Sequence, residues 1–563
     1  MRTGFLSVVS LVVAGLSAPV VSADSFAGAY LAGRYASSQN DHIAAAQNYD
    51  RALRFDVTSA QLLNDAIVAF VLRGDFETAL DWVDWIEPRE TLGRVPRLLT
   101  LANSLRSGFY DETQTFLAAD SAAMTPIIAG LITGWTHYGE GNVDAAISQF
   151  DTLTEEPGLG VFGAYHKALM LAALGRNEEA RSILRGGDSG PLHLDARSIG
   201  VHAIVTAQAG DIPGAISIIQ DTDPTGSDPL LNGLSATLEG GEAPAFTMIA
   251  SAADGAAEVF RSFSELLIGE ENPEAAMIYG RFAQFLKPNQ PDLDLLIGEV
   301  LRRQGQYVLA TEEFSKVPTD SPYFVMAELS RADALSDAES VDAAVAVLQG
   351  LERSAPDEAE VPISLGNILR FDEQFAAAEP VYTRALQKLP EGSNREWQVY
   401  YSRGITRERT DQWDLAEADF RKALELEPDQ PLVLNYLGYS LVEQKRNLEE
   451  ALEMIKTAVA ARPDDGYITD SLGWAYYRLG EFDKAVEPME RAAALVATDP
   501  VINDHLGDVY WKVGREREAR FQWRRALSFE PEAEEIPKIK RKLEIGLDRF
   551  LEEHAEAEDV SSN

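Results

Sequence analysis

Apolar and small residues alternate with polar ones along this chain in a helical period, and a longer period is laid over it. Between Pro431 and Pro531, Leu437-Gly438, Leu472-Gly473 and Leu506-Gly507 stand 35 and 34 residues apart. An alanine follows each pair at Ala451, Ala485 and Ala519, and a second at Ala458, Ala492 and Ala526. Two antiparallel helices of about 12 residues with short turns use roughly 34 residues, so each period predicts one helical hairpin, helix A then helix B. Glycine on helix A (Gly366, Gly404, Gly438, Gly473, Gly507) and alanine on helix B (Ala378, Ala416, Ala451, Ala485, Ala519) let the two helices approach, because a larger side chain would hold them apart. Bulky residues four places after the helix B alanine, such as Phe150, Phe314, Tyr382, Phe420 and Trp523, are expected to fill the space between hairpins.

The alanine can be followed upstream through Ala344, Ala310, Ala276, Ala215, Ala180, Ala146, Ala79 and Ala45, mostly at the same interval. Glycines at Gly74, Gly175, Gly210, Gly305, Gly480 and Gly514 mark the turns from helix A to helix B, where a left-handed residue ends a helix. Prolines at Pro356, Pro390, Pro428, Pro463 and Pro531 stop helix B. These signals predict an all-α, right-handed α-solenoid of about 14 antiparallel helix pairs. Residues 221–255 break the period with Asp-Pro, Gly-Ser-Asp-Pro and Glu-Gly-Gly-Glu. They read as an irregular hinge or degenerate unit between an N-terminal array (24–220) and a C-terminal array (256–531). Residues 532–553 read as a capping helix with an apolar stripe of Ile539, Leu543, Leu547 and Phe550 and a basic rim of Lys538, Lys540, Arg541 and Lys542. Residues 554–563 read as a disordered acidic tail.

Composition changes the picture in two ways. A formal charge of −41 over 563 residues excludes a nucleic-acid partner, which needs a basic footprint. The first 23 residues carry Arg2, an apolar stretch from Phe5 to Leu16, and small residues at Val21-Ser22-Ala23, the pattern of a cleavable signal peptide cut after Ala23. Export follows as the expectation, with the periplasm as the simplest location. The rest of the chain holds no apolar run of spanning length, so no transmembrane segment is expected after cleavage. There are no cysteines, hence no disulfide and no lipid-attachment cysteine.

Catalytic chemistry finds no foothold in the pattern. His42, His137, His166, His193, His202, His505 and His554 form no paired metal motif, and no metal or other cofactor is expected. There is no phosphate-binding glycine loop, nucleophile elbow or dinucleotide fingerprint. Repeats leave no block of about 100 residues for a catalytic domain. What remains is a surface. Helix A of each hairpin lines the concave face of such a solenoid, which places Asn435, Tyr439, Tyr467, Asp470, Trp474, Tyr477, Asp504, Asp508 and Trp511 in one candidate groove. Aromatics interleaved with short polar acceptors are the composition of protein-binding hot spots. A protein or peptide partner is the first expectation. A glycan- or peptidoglycan-binding surface, a module whose partner chain supplies catalysis, and a purely structural array stay open beside it. Oligomeric state is not encoded in any of these features.

The repeated residues resemble the tetratricopeptide-repeat superfamily over nearly the whole of the expected mature chain. The last copy carries Leu506, Gly507, Tyr510, Ala519, Trp523, Ala526 and Pro531. Arg403 and Arg407 depart from it, standing where leucine and tyrosine are usual. The segments Leu434–Leu441, Asp470–Ala475 and Asn503–Trp511 are similar to exported bacterial repeat proteins, in particular lipoprotein adaptors that deliver substrates to periplasmic C-terminal-processing proteases. The resemblance implies a non-enzymatic scaffold or adaptor in the cell envelope. Those adaptors carry a lipid-modified cysteine that this chain lacks. Clamps of the superfamily that grip a C-terminal carboxylate use lysine and asparagine where this chain has Asp470 and Trp474 or Asp504 and Asp508, so a basic or neutral segment is the expected partner.

Overall fold

The computed structural model describes residues 25–86, 91–119, 124–155, 160–186, 191–192, 195–224, 228–269, 272–390 and 392–553. The expected signal peptide, the acidic tail, His193 and His554 lie outside the described residues. Among the described residues there are thirty α-helices with defined bounds, from α1 (Phe26–Ser38) to α30 (Glu535–Ile545), and no strand. The fold is an α-solenoid. Two compact units divide it, one ending at Val347 and one beginning at Leu348.

The hairpin seam obeys the small-residue rule with one change. A Cβ added to Gly134, Gly298, Gly366, Gly404 or Gly507 would lie 2.4–2.6 Å from the rings of Phe150, Phe314, Tyr382, Phe420 and Trp523 respectively. Each ring belongs to helix B of the same hairpin, so the bulky residues fill the seam within a pair rather than the space between units. Gly473 meets Met489 in the same way at 2.5 Å, and Gly438 meets Ile455 at 2.8 Å. Ala378, Ala416, Ala451, Ala485 and Ala519 are fully buried beside them. Gly480 and Gly514 adopt φ of +76° and +80° between the two helices of their pairs, a conformation that costs a residue with a Cβ about 1 kcal/mol or more.

The first unit does more than stack. Its first-helix faces include α3 (Ala60–Arg73), α5 (Arg94–Arg106), α7 (Pro126–Gly139), α9 (Gly160–Ala173) and α11 (Ala196–Gln208). Helix α13 (Pro229–Glu239) packs on α11 and α12 (Ile212–Thr222) and ends that run. The next helix, α14 (Ala252–Gly269), packs on α5, α7 and α9, while α15 (Pro273–Leu286) packs on α3 and α5. The chain therefore turns back and lays its own hairpin along the first-helix face of the preceding array. Residues 221–255 hold α13 and the return segment within one compact unit. The two compact units divide at Val347/Leu348, where no break in the repeat period announces it.

Close packing and buried ions hold this hairpin. A Cβ on Gly255 would stand 2.0 Å from the Trp135 ring, which is fully buried and donates from Nε1 to His166 Nδ1 at 3.1 Å. Burial pushes the His166 ring down to about 4, keeping it neutral. Arg261 on α14 reaches Asp195, Arg197 pairs with Glu258 at 3.3 Å and with Asp292 at 2.6 Å, and Arg281 Nε donates to the Leu72 carbonyl at 3.0 Å. Burial pushes the Glu258 carboxyl up, but Arg261 and Arg197 outweigh it and hold the group at about 2.

In the second unit the hairpins α20 (Glu360–Phe371)/α21 (Phe375–Lys388), α22 (Glu396–Glu408)/α23 (Trp413–Leu426), α24 (Pro431–Glu443)/α25 (Leu448–Ala461), α26 (Gly466–Arg478)/α27 (Phe482–Leu495) and α28 (Pro500–Lys512)/α29 (Glu516–Ser528) follow in order. The two arginines that replace apolar residues in α22 are accommodated by charge. Arg403 forks onto Asp419 at 2.7 and 2.8 Å, and Arg407 bridges Asp419 and Glu379, both at 2.8 Å. The terminal cap is broken: α30 ends at Gly546, whose φ is +83°, and residues 547–553 form a second short helix. Ile539, Leu547 and Phe550 are buried as the stripe predicts. Lys542 is buried too, at 6% exposure, and does not belong to a basic rim.

The fit of Gly255 against Trp135 gives a direct test. Gly255→Ala is expected to lower the urea-unfolding free energy of the first unit by about 2–3 kcal/mol through overpacking. Gly233→Ala in α13, where a Cβ meets nothing within 4 Å, is expected to change it by less than about 1 kcal/mol. Equal effects would show that α14 is not seated on α7 as described.

Candidate binding cleft

The first helices α22, α24, α26 and α28 build the candidate site in the second unit. Their starts are set locally. Pro431 and Pro500 occupy first-turn positions, and the Asp465 and Asp499 side chains cap α26 and α28 by accepting backbone N–H bonds. Because the repeat is 34 or 35 residues, Asn435, Asp470 and Asp504 hold one position in successive copies, and Tyr439, Trp474 and Asp508 the next position one turn on.

Of the nine predicted groove residues, Asn435, Tyr439, Tyr467 and Asp470 converge on one cleft of about 410 Å³. Glu408, Tyr436, Glu443 and His505 share its lining. Tyr467 stands at the opening with 59% of its surface exposed. Tyr436 donates its hydroxyl to Glu408 at 3.2 Å. The Tyr439 hydroxyl is raised by burial first, then by the carboxylates of Glu443 and Asp470, so it stays protonated. Asn435 Oδ1 is buried and accepts no hydrogen bond among the described residues.

Trp474 and Tyr477 back the cleft as a stacked pair 4.6 Å apart. The indole lies 3.9 Å from the His505 ring at 14°, and its Nε1 donates to Glu443 at 2.6 Å. Asp470 faces His505 Nδ1 at 3.0 Å. Burial lowers the His505 pKa, but Asp470 outweighs it by charge and hydrogen bonding, with Asp504 and Asp508 adding to the shift, so the ring sits above its ordinary value.

Asp504, Asp508 and Trp511 are elsewhere. Lys542 of α30 donates to Asp504 at 2.7 Å and to Asp508 at 2.8 Å, and Trp523 Nε1 donates to Asp508 at 2.9 Å. Trp511 stacks on Trp523, donates to Asp548 at 3.0 Å and lies under Gly546. These three residues anchor the cap; they do not line the cleft. Sequence reasoning missed Glu408, Glu443 and His505 as cleft residues. The two glutamates stand 35 apart, one turn beyond the positions that were read, so the repeat itself carried that signal. Among the described residues no cluster of histidine and acidic side chains is placed to hold a metal ion, and no helix is long and apolar enough to cross a membrane.

Comparison with known proteins matches this stretch. A tetratricopeptide-repeat family profile matches residues 329–393, 401–466 and 444–500. The matched segments are tetratricopeptide repeats. It is 30% identical over 186 residues to a TPR repeat-containing protein of Pseudomonas aeruginosa, covering 33% of this chain and 31% of that one. It is also 30% identical over 190 residues to Tetratricopeptide repeat protein 13 of Homo sapiens, covering 32% and 21%. The match thus spans less than a third of the length of either relative. Among solved structures, the Cut9-Hcn1 hetero-tetramer of the APC/C aligns with a TM-score of 0.39 and 14% identity over 93% of this chain and 97% of that chain. Tetratricopeptide repeats build surfaces for protein–protein interaction, and proteins of this fold are generally non-catalytic scaffolds.

Two measurements check the site. Replacing Lys542 by Met leaves Asp504 and Asp508 without their buried cation and is expected to cost the second unit about 3 kcal/mol in urea unfolding; a loss under about 1 kcal/mol would place the lysine in solvent. The His505–Asp470 pair raises a histidine pKa, so its stabilisation is fully present below pH about 6.5 and disappears as pH rises through the raised folded value. An NMR titration of His505 is expected to show that raised midpoint in the parent and a lower one in Asp470→Asn; an unchanged midpoint excludes the pair.

Proposed function

We propose that this protein is a non-enzymatic scaffold or adaptor that binds a partner polypeptide segment in the cleft of its second unit. The observation that carries this reading is the cleft itself: a concave space between tetratricopeptide repeats, walled by tyrosines, with a buried acceptor on Asn435 that has no donor among the described residues. An extended segment supplies backbone N–H groups to such an acceptor and apolar surface to Tyr436, Tyr439 and Tyr467. In the first unit α14 and α15 pack against α3, α5, α7 and α9.

The finer part of the reading concerns place and task. The signal-peptide pattern at the N-terminus supports action in the periplasm, and the likeness to envelope repeat adaptors supports presenting a bound protein to a separate protease or hydrolase. Catalysis on that account resides in the partner.

A photo-reactive residue at Tyr467 tests the site in living cells. Protein adducts are expected from position 467 and not from Glu487 on α27, and Tyr439→Ala with Tyr467→Ala is expected to weaken recovery of the adducted partner on beads about 30-fold or more, the loss of two aromatic contacts. Equal adducts at both positions, adducts to glycan alone, or a double variant that binds its partner normally each overturn the assignment.

A further inference from the structure

We infer that the cleft selects a cationic side chain, lysine or arginine, on an extended partner segment. This rests on the cleft being the partner site and adds what that partner must carry.

The first argument is an inventory of hydrogen-bonding capacity. Glu408, Glu443 and Asp470 come from three successive first helices and line one cleft. Each accepts bonds from a neighbour: Glu408 from Tyr436, Glu443 from Trp474, Asp470 from His505. A carboxylate has about four acceptor positions, so capacity remains on all three, and Asn435 Oδ1 uses none. The chain's own basic groups take up only part of it, with His505 on Asp470 at 3.0 Å. Arg409 leans over the Phe375 ring at 4.7 Å, and Arg478 reaches Glu443 Oε2 only at 3.4 Å while donating to its backbone carbonyl at 3.2 Å. The cleft therefore offers acceptors in excess of donors, beside ring faces. Charge-assisted hydrogen bonds to carboxylates and cation–π contact with tyrosine both favour a guanidinium or ammonium there. An anionic side chain would meet three carboxylates, with Arg409 and His505 as the basic residues of the described lining.

The second argument comes from the repeat symmetry. Asp504 holds the position of Asn435 and Asp470 one copy further on, and there the chain supplies its own occupant: the buried Lys542 ammonium, bonded to Asp504 and Asp508. The same device appears in the first unit, where the hairpin laid on the array brings Arg261 to Asp195 and Arg281 to the Leu72 carbonyl. Where this chain fills its own first-helix faces, the filler carries cations into acceptor sites. The cleft at Asn435 and Asp470 is the step of the stripe that lacks such a filler among the described residues.

The test uses the intact protein and fluorescein-labelled peptides of alanine and serine that carry several lysines, glutamines or glutamates at the same places. The lysine peptide is expected to bind about tenfold tighter than the glutamine peptide, and the glutamate peptide more weakly than both. The advantage is expected to fall several-fold between low and physiological salt and on Glu408→Gln or Glu443→Gln. Tyr439→Ala with Tyr467→Ala is expected to remove binding altogether. If glutamine and lysine peptides bind alike and the tyrosine variant still abolishes both, charge selection is wrong and the cleft stands as a partner site. If the lysine peptide binds equally to parent and tyrosine variant, it is sampling the acidic surface at large and the inference fails. Absence of binding by every peptide also overturns it, while the in-cell adducts at position 467 decide separately whether the cleft meets a partner.

Discussion

The contact on which this structure depends is the one between a glycine of each first helix and a large side chain of the second. Gly134 against Phe150, Gly298 against Phe314, Gly404 against Phe420 and Gly507 against Trp523 repeat one geometry across the two units. The missing Cβ leaves a dent, and the ring fills it at ordinary contact distance, which is the dense packing expected of a protein interior. A fixed seam gives each hairpin a fixed pitch. Side chains 34 or 35 residues apart are then brought into register on the first-helix face, and that register is why residues as distant as Glu408, Glu443 and Asp470 share one cleft.

The first unit uses the same principle outside the repeat. Gly139 and Gly255 are not hairpin-seam glycines, yet a Cβ on Gly139 would lie 2.9 Å from Ala252 and one on Gly255 would strike Trp135. They bring α14 into contact with α7 as closely as partners within a hairpin. Buried charges then set the register of this contact. Replacing such ion pairs by apolar residues is often neutral for stability, but removing one partner leaves a buried charge exposed to the low-dielectric interior. Arg197, Glu258 and Arg261 are such partners, so removing any one of them would leave its counter-charge buried.

This contrast explains what the sequence made legible. The hairpins could be read because their requirement is local: a glycine, an alanine and a bulky residue at fixed spacing. The return of α14 could not, since residues 221–255 show only a lost period, and a lost period does not say where the chain goes next. At the site, Asn435, Tyr439, Tyr467 and Asp470 followed from their place on helix A. Asp504, Asp508 and Trp511 hold equivalent places but meet the cap, and Lys542 reads in sequence as one more surface cation among Lys538, Lys540 and Arg541. It is buried on Asp504 and Asp508, while Gly546 breaks the terminal helix beside Trp511.

The cap also shows what a solenoid of this kind must solve at its ends. A repeat array presents the same first-helix stripe at every step, so the last copy would display acidic acceptors with no following copy to shield them. Water could serve them, but Trp511 and Trp523 make that end apolar, and a carboxylate beside stacked indoles is costly unless a cation accompanies it. Burial, with the Asp504 charge adding to it, pushes the Asp508 carboxyl up to about 6 even with Lys542 lowering it. The terminal helix answers both demands at once, with Leu547 and Phe550 covering the apolar surface and Lys542 meeting the charge. Among the described residues of the second unit the interior copies have no such helix laid over them, which leaves Asn435 with an unused acceptor and Tyr467 in solvent. The open stretch of the stripe is thus a consequence of where capping ends, and the chemistry needed to close it is the chemistry the cap already displays.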